Sequence, residues 1–162
     1  MSSKHPFRFL RPALAAAALL SLTSCVAVEE VAPPPSTVPV AGTDADGDGV
    51  RDDVQAWLQA TYSDTAVRAA ARKLAVSLQA MLVNTGGEAG ALAAAAGMNA
   101  AIDCLYALDP AALGGRVDAV EGAVVNTGNR ARAYARAGAH LSGDVFTVST
   151  VAENAAACGA NP

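Results

Sequence analysis

DTAVRAAARKLAVSLQAML, residues 64–82, decides the fold class. Val67, Ala71, Leu74, Leu78, Met81 and Leu82 recur at helical spacing, with Arg68, Arg72, Lys73 and Gln79 off the stripe. Ser63 or Asp64 can cap this helix, and Asn84-Thr85-Gly86-Gly87 ends it. Downstream, the segment from about Glu88 to Leu108 is apolar nearly all round, with Leu92, Met98, Ile102, Leu105 and Leu108, and polar only along Glu88, Asn99 and Asp103. Such a helix is expected in the middle of a bundle. Asp109-Pro110 supplies a cap and a first-turn proline for a helix carrying Leu113, Val117, Val120 and Val124, whose regular part is expected near Arg116 because Gly114-Gly115 weakens the first turn. Thr127 caps a fifth helix through Tyr134 to Leu141, ended by Ser142-Gly143. Beyond it, Val145 to Val148 reads as extended, and Thr150-Val151-Ala152-Glu153 has capping-box spacing for a short helix that presents Cys158. Upstream, Asp52-Asp53-Val54-Gln55 has the same spacing and opens a short helix with Val54, Trp57 and Leu58 to about Tyr62. The chain reads as all-α, a small bundle of about five helices with antiparallel neighbours. Its apolar content is mostly alanine, with three Phe, three Tyr and one Trp, so closely packed helices are expected and a large aromatic pocket is not.

Residues 26–43, VAVEEVAPPPSTVPVAGT, contain Pro33, Pro34, Pro35 and Pro39 and favour extended polyproline geometry. This is a semi-rigid tether without a fold of its own, and the domain is expected to begin near Asp44 and run to residue 162.

Between tether and first helix, Asp44-Ala45-Asp46-Gly47-Asp48-Gly49-Val50-Arg51-Asp52 places carboxylates at positions 1, 3, 5 and 9 of a loop with glycine at position 6. A hard cation such as Ca²⁺ takes six to eight oxygens at about 2.3 to 2.6 Å, and alternate aspartates on a glycine turn can wrap them around one point. The loop resembles those of EF-hands, dockerins and thrombospondin type 3 repeats. The resemblance implies Asp44, Asp46 and Asp48 as side-chain ligands, Val50 as a carbonyl ligand, and Asp52 as a ligand directly or through water. Three departures stand out: Gln55 occupies the position of the bidentate Glu, Arg51 an apolar position, and a proline-rich tether replaces the incoming helix. An affinity of about 10⁻⁴ to 10⁻³ M, as in extracellular modules, follows, with the ion structural. Asp52 and Gln55 also read as the capping box alone, and the three aspartates as a solvated acidic turn.

At the N-terminus, Lys4, Arg8 and Arg11 precede an apolar run from Ala13 to Leu22 and the tetrapeptide Leu22-Thr23-Ser24-Cys25. This pattern resembles the lipobox of a bacterial lipoprotein signal peptide. It implies removal of residues 1–24, lipid on Cys25, and a mature chain anchored by that lipid, with the folded part held off the membrane by residues 25–43. Val26 after the cysteine implies the outer membrane, facing the periplasm. Removing 24 of 162 residues leaves 138, enough for one domain. All fifteen acidic residues and eight of the eleven basic ones remain, a net charge of −7 that disfavours nucleic acid. In an oxidising compartment Cys104 and Cys158 form an even pair, expected as a disulfide worth about 3 to 4 kcal/mol in the chain-entropy model.

Arg130, Arg132 and Arg136 form the main basic cluster, read either as a solvated face or as a surface for an anionic partner. This layout resembles small bacterial lipoproteins, which implies no activity. His140 is the only histidine after processing, and neither GxSxG nor a glycine-rich phosphate loop is present. Asn99 and Asp103 read as a narrow exposed strip or as an internal salt bridge to Arg68 or Arg72. The expectation is a non-catalytic, lipid-anchored envelope protein with a Ca²⁺ loop, acting as a binding or structural module toward an envelope protein partner. The alternatives are an envelope enzyme using Asp103, Asp118 or Glu121, and a calcium-responsive sensor whose loop switches the first helix.

Overall fold

An aspartate carboxylate sets the start of the helix that organises the fold. In the computed structural model, which describes residues 39–144, 149–150, 153, 156, 158 and 159, the Asp64 side chain accepts the Val67 N–H at 2.9 Å. Among the described residues five helices with continuous bounds occur: α1 (Asp52–Thr61), α2 (Thr65–Leu82), α3 (Gly87–Leu108), α4 (Leu113–Val124) and α5 (Gly128–Ala139). No strand occurs among the described residues, so the fold is a small all-α bundle. Residues 1–38 and 145–148 lie outside the described residues, as do the signal, Cys25, most of the tether and the expected extended segment.

The helix in the middle is α2, not α3. It packs against all four others and buries Val67, Ala70, Ala71, Leu74, Ala75, Leu78, Met81 and Leu82. The buried residues of α3 are Ala91, Ala94, Ala95, Ala101, Cys104 and Leu105, while Ala89, Ala93, Ala96, Ala100 and Ala107 stay exposed. Alanine raises mean hydropathy but offers one methyl to bury, at about 0.8 kcal/mol per carbon group, so the leucine-rich stripe wins the centre. By length and composition α3 is apolar enough to cross a membrane; here it is a helix of the bundle lying along α2. The approach is close, since a Cβ on Gly97 would fall 2.5 Å from Ser77 Oγ.

The linkers are set by side-chain caps. Asp109 Oδ1 accepts the Ala111 and Ala112 N–H groups, and Oδ2 pairs with Arg116 at 3.1 Å, so a 3₁₀ turn, Pro110–Ala112, feeds directly into α4. Gly114 and Gly115 therefore sit inside the first turn of α4 instead of delaying it to Arg116. Thr127 accepts the Arg130 N–H at 3.3 Å and opens α5, which ends at Ala139, two residues before Leu141. Thr150 and Glu153 exchange capping-box bonds: Glu153 N–H donates to Thr150 Oγ1, and Thr150 N–H donates to Glu153 Oε2. The C-terminal segment is fastened to α3 by a Cys104–Cys158 disulfide and by Ser149 Oγ donating to Asp103 at 2.5 Å.

Leu78 is 1% exposed on α2, whereas Leu92 on α3 is half-buried. In denaturant melts, Leu78→Ala is expected to lose about 2 to 5 kcal/mol and Leu92→Ala less than half of that. Equal losses would return α3 to the centre.

Candidate metal centre in the acidic loop

The loop 44–52 is folded by its own carboxylates. Asp44 Oδ1 accepts the Gly47 and Asp48 N–H groups at 2.9 and 3.2 Å, and Asp44 Oδ2 accepts Gly49 N–H at 3.0 Å. Asp48 N–H also donates to Asp46 Oδ1, and Val50 N–H to Asp48 Oδ1 at 2.9 Å. Gly47 and Gly49 take φ of +71° and +84°, which glycine adopts without a steric penalty. Two further bonds close the ends: Asp52 N–H donates to Thr43 O at 2.9 Å, and Ala45 N–H to Asp52 Oδ1 at 3.0 Å.

This folding brings Asp44, Asp46 and Asp48 together, with one carboxylate oxygen from each within 4.8 Å of the others. Oxygens that share a hard cation at about 2.4 Å lie no more than about 4.8 Å apart, so the three can hold a metal ion. All three donors are hard oxygens. Asp44 and Asp46 are exposed and Asp48 is half-buried. Of the other two expected ligands, Val50 is 1% exposed, seated on the core beneath the loop, and the Asp52 carboxylate is engaged by Ala45.

The capping box expected at Asp52 and Gln55 is absent. Helix α1 begins at Asp52 itself, and Arg51 before it makes no side-chain cap bond. Asp52 reaches back to Ala45, seven residues upstream, while Gln55 Nε2 donates to Asp48 Oδ2 at 3.3 Å. Both side chains serve the loop instead of the helix end. Arg72, a candidate partner for Asp103, pairs with Asp48 Oδ2 at 2.8 Å and donates to Asp48 O at 3.1 Å. That guanidinium holds the Asp48 carboxyl below the usual carboxylate range. Arg68 donates to the Tyr62 and Ser63 carbonyls.

Beneath the loop lie two buried arginines that sequence reasoning treated as a departure from the loop pattern and as part of a basic row. Arg51, 1% exposed, grips Asp53 through Nε at 2.9 Å and a second nitrogen at 3.2 Å. It also donates to Gln79 Oε1 and to the Ala123 and Val124 carbonyls. Those carbonyls are at the C-terminal end of α4, where the helix dipole favours a cation. Arg130, 4% exposed, donates to the Pro39 and Val40 carbonyls and, at 2.6 Å, to Asn126 Oδ1. Gln79 Nε2 holds Ala41 O at 2.8 Å. The chain is thus part of the folded unit from at least Pro39, five residues ahead of the expected start. The signal for Arg51 was its place in the loop, at a position that the resemblance makes apolar. Nothing local marked Arg130.

Gly42, at φ +73°, lies against this pair: a Cβ there would collide with Arg51 Cδ and come within 3.1 Å of an Arg130 nitrogen. Arg132 and Arg136 are exposed on α5. Asp118 is exposed and Glu121 half-buried on α4, and with Asp103 they form no cluster of the kind found at Asp44, Asp46 and Asp48. No family model matches the chain, and no curated protein and no solved structure matches it.

Arg51 also holds the Asp53 carboxyl below its usual range. A carboxyl with a lowered folded-state value stabilises the fold above its unfolded value and ceases to do so as pH falls through the folded one. The melting temperature should therefore be nearly flat at neutral pH and fall once pH drops below about 4. Asp53→Asn should start lower and show a shallower acid fall; an unchanged slope would remove the Arg51–Asp53 pair as a contributor.

Proposed function

We propose that this chain is a lipid-anchored protein of the bacterial cell envelope, held by lipid on Cys25 to the outer membrane and facing the periplasm, whose acidic loop binds a structural Ca²⁺. On this reading the folded domain is a non-catalytic binding or structural module that engages an envelope protein partner. One observation carries the calcium assignment: three aspartate oxygens converge within 4.8 Å in a loop clasped at both ends, where the chain enters the bundle. The donors are all oxygen, which suits a hard cation over a softer one, and the exposed site leaves room for waters to complete the six- to eight-oxygen shell that Ca²⁺ takes. Bound there, the ion would tie the end of the tether to α1 and offset repulsion among the carboxylates. Asp52 engaged elsewhere and Arg72 on Asp48 both weaken binding, consistent with a dissociation constant of about 10⁻⁴ to 10⁻³ M.

The sensor reading has one observation in its favour. Asp48 Oδ2 is held by both Arg72 and Gln55, so an ion that claimed this oxygen would loosen contacts to α2 and α1 together.

Calcium should raise the melting temperature of the protein purified from membranes, because a ligand that binds the native state alone stabilises it by mass action. At about 1 mM ion and a dissociation constant near 10⁻⁴ M the gain is about 1.4 kcal/mol. Asp46→Asn is the cleanest probe, since an asparagine oxygen can still accept the Asp48 N–H. The variant should match the parent without calcium and lose the gain with it. A calcium-independent melting temperature in the parent would leave the loop a self-capped acidic turn.

Cys25→Ser should abolish palmitate labelling and release the protein from membranes, because stable anchoring needs more than one acyl chain. Unchanged membrane partitioning would remove the lipoprotein assignment.

A further inference from the structure

Helices α1 and α4 do not close completely on each other. Between them runs an open groove of about 430 Å³, in the range of small-molecule sites, with Trp57 on the α1 side. Its α4 side consists of Ala119, Gly122 and Ala123, one helix face at i, i+3 and i+4 carrying almost no side chain. A Cβ on Gly122 would meet nothing within 4 Å, so the glycine leaves open space opposite the indole. Trp57 is half-buried and held edge-to-face by Tyr62, with ring centroids 5.8 Å apart and an interplanar angle of 86°.

Two polar groups also line the groove, Asp53 and Asn126. The Asp53 side chain is 59% exposed although Arg51 binds both its oxygens, so it offers acceptor lone pairs from an ion pair that is neutral as a whole. Asn126 accepts from Arg130 through Oδ1, which directs its amide oxygen inward and leaves the NH₂ group to donate. An aromatic ring beside one acceptor and one donor, over a floor of small residues and with no net charge, matches the chemistry of a sugar ring. Polarised C–H bonds on one sugar face meet the electron-rich face of the indole, and hydroxyls meet a carboxylate and an amide. A cationic ligand is disfavoured because Arg51 already neutralises Asp53.

We propose that the α1–α4 groove is a binding site for a neutral saccharide, with Trp57 as the stacking platform and Asp53 and Asn126 as the hydroxyl-recognising groups. This assignment is independent of the calcium loop and of the lipid anchor.

Trp57 is the only tryptophan in the chain, so its emission reports on the groove directly. The full chain, in a detergent without a sugar headgroup, is titrated with maltotriose, cellotriose and triacetylchitotriose, with the open-chain hexitol sorbitol as control. At least one trisaccharide should change the emission saturably with a dissociation constant of about 1 mM, and sorbitol should not. Gly122→Leu, which fills the open space and replaces a poor helix former, should weaken that response at least about tenfold while the melting temperature holds or rises. Absence of a saturable response to all three sugars at about 10 mM would overturn the proposal. So would an equal response in a folded Gly122→Leu variant, or saturation by tetramethylammonium in place of the sugars.

Discussion

The Arg51 guanidinium is the constraint on which the rest of the structure depends. Taking such a charge out of water costs several kcal/mol, and the fold tolerates it only where every donor finds a partner. The partners come from three helices: Asp53 on α1, Gln79 on α2, and the last carbonyls of α4 at Ala123 and Val124. Satisfying one buried cation therefore fixes how α1 and α4 sit against the central helix. It also fixes the exit of the acidic loop, because Arg51 is its penultimate residue. The cost of error is large, since leaving such a charge without one of its partners forfeits about 3 to 5 kcal/mol.

The second buried arginine extends the clasp to the incoming chain. Arg130 binds the Pro39 and Val40 carbonyls, Gln79 binds Ala41, and Gly42 passes where no side chain fits beside Arg51. Burial, with Arg51 close by, pushes the Arg130 value down. Arg51 is neutralised by Asp53, whereas Arg72 sits directly on Asp48. The acidic cluster is thus balanced in part by the Arg72 guanidinium. Calcium, on the proposed reading, would complete that balance from the solvent side, where Asp44 and Asp46 are exposed.

The all-α class, the starts of α2 and α5 and the cap at Asp109 were legible because they rest on local rules. The α2 stripe repeats at the helical period, and Asp64, Asp109 and Thr127 each cap the turn that immediately follows. The proximity of Asp44, Asp46 and Asp48 was legible for the same reason, since alternate residues around glycines with positive φ curl onto one point. What escaped were decisions made over distance. Asp52 and Gln55 have capping-box spacing, yet Ala45 and Asp48 compete for them across the returning loop, which a pattern of four residues does not contain. The rank of α3 was overstated because alanine counts as apolar in a pattern but contributes little buried area. Arg51 and Arg130 were read by the usual exposure of arginine, whereas helix-end carbonyls and an incoming backbone, up to 91 residues away in the chain, draw them inside.

Amide hydrogen exchange with and without calcium bears most directly on the claim that a metal-binding loop is clasped by Arg51 and Arg130 to the entry of the bundle. Calcium is predicted to slow exchange at Gly47, Gly49 and Val50 and, through the clasp, at Ala41 and Thr43, while the α3 amides stay unchanged. No change in the loop amides, or equal slowing throughout α3, would contradict the account.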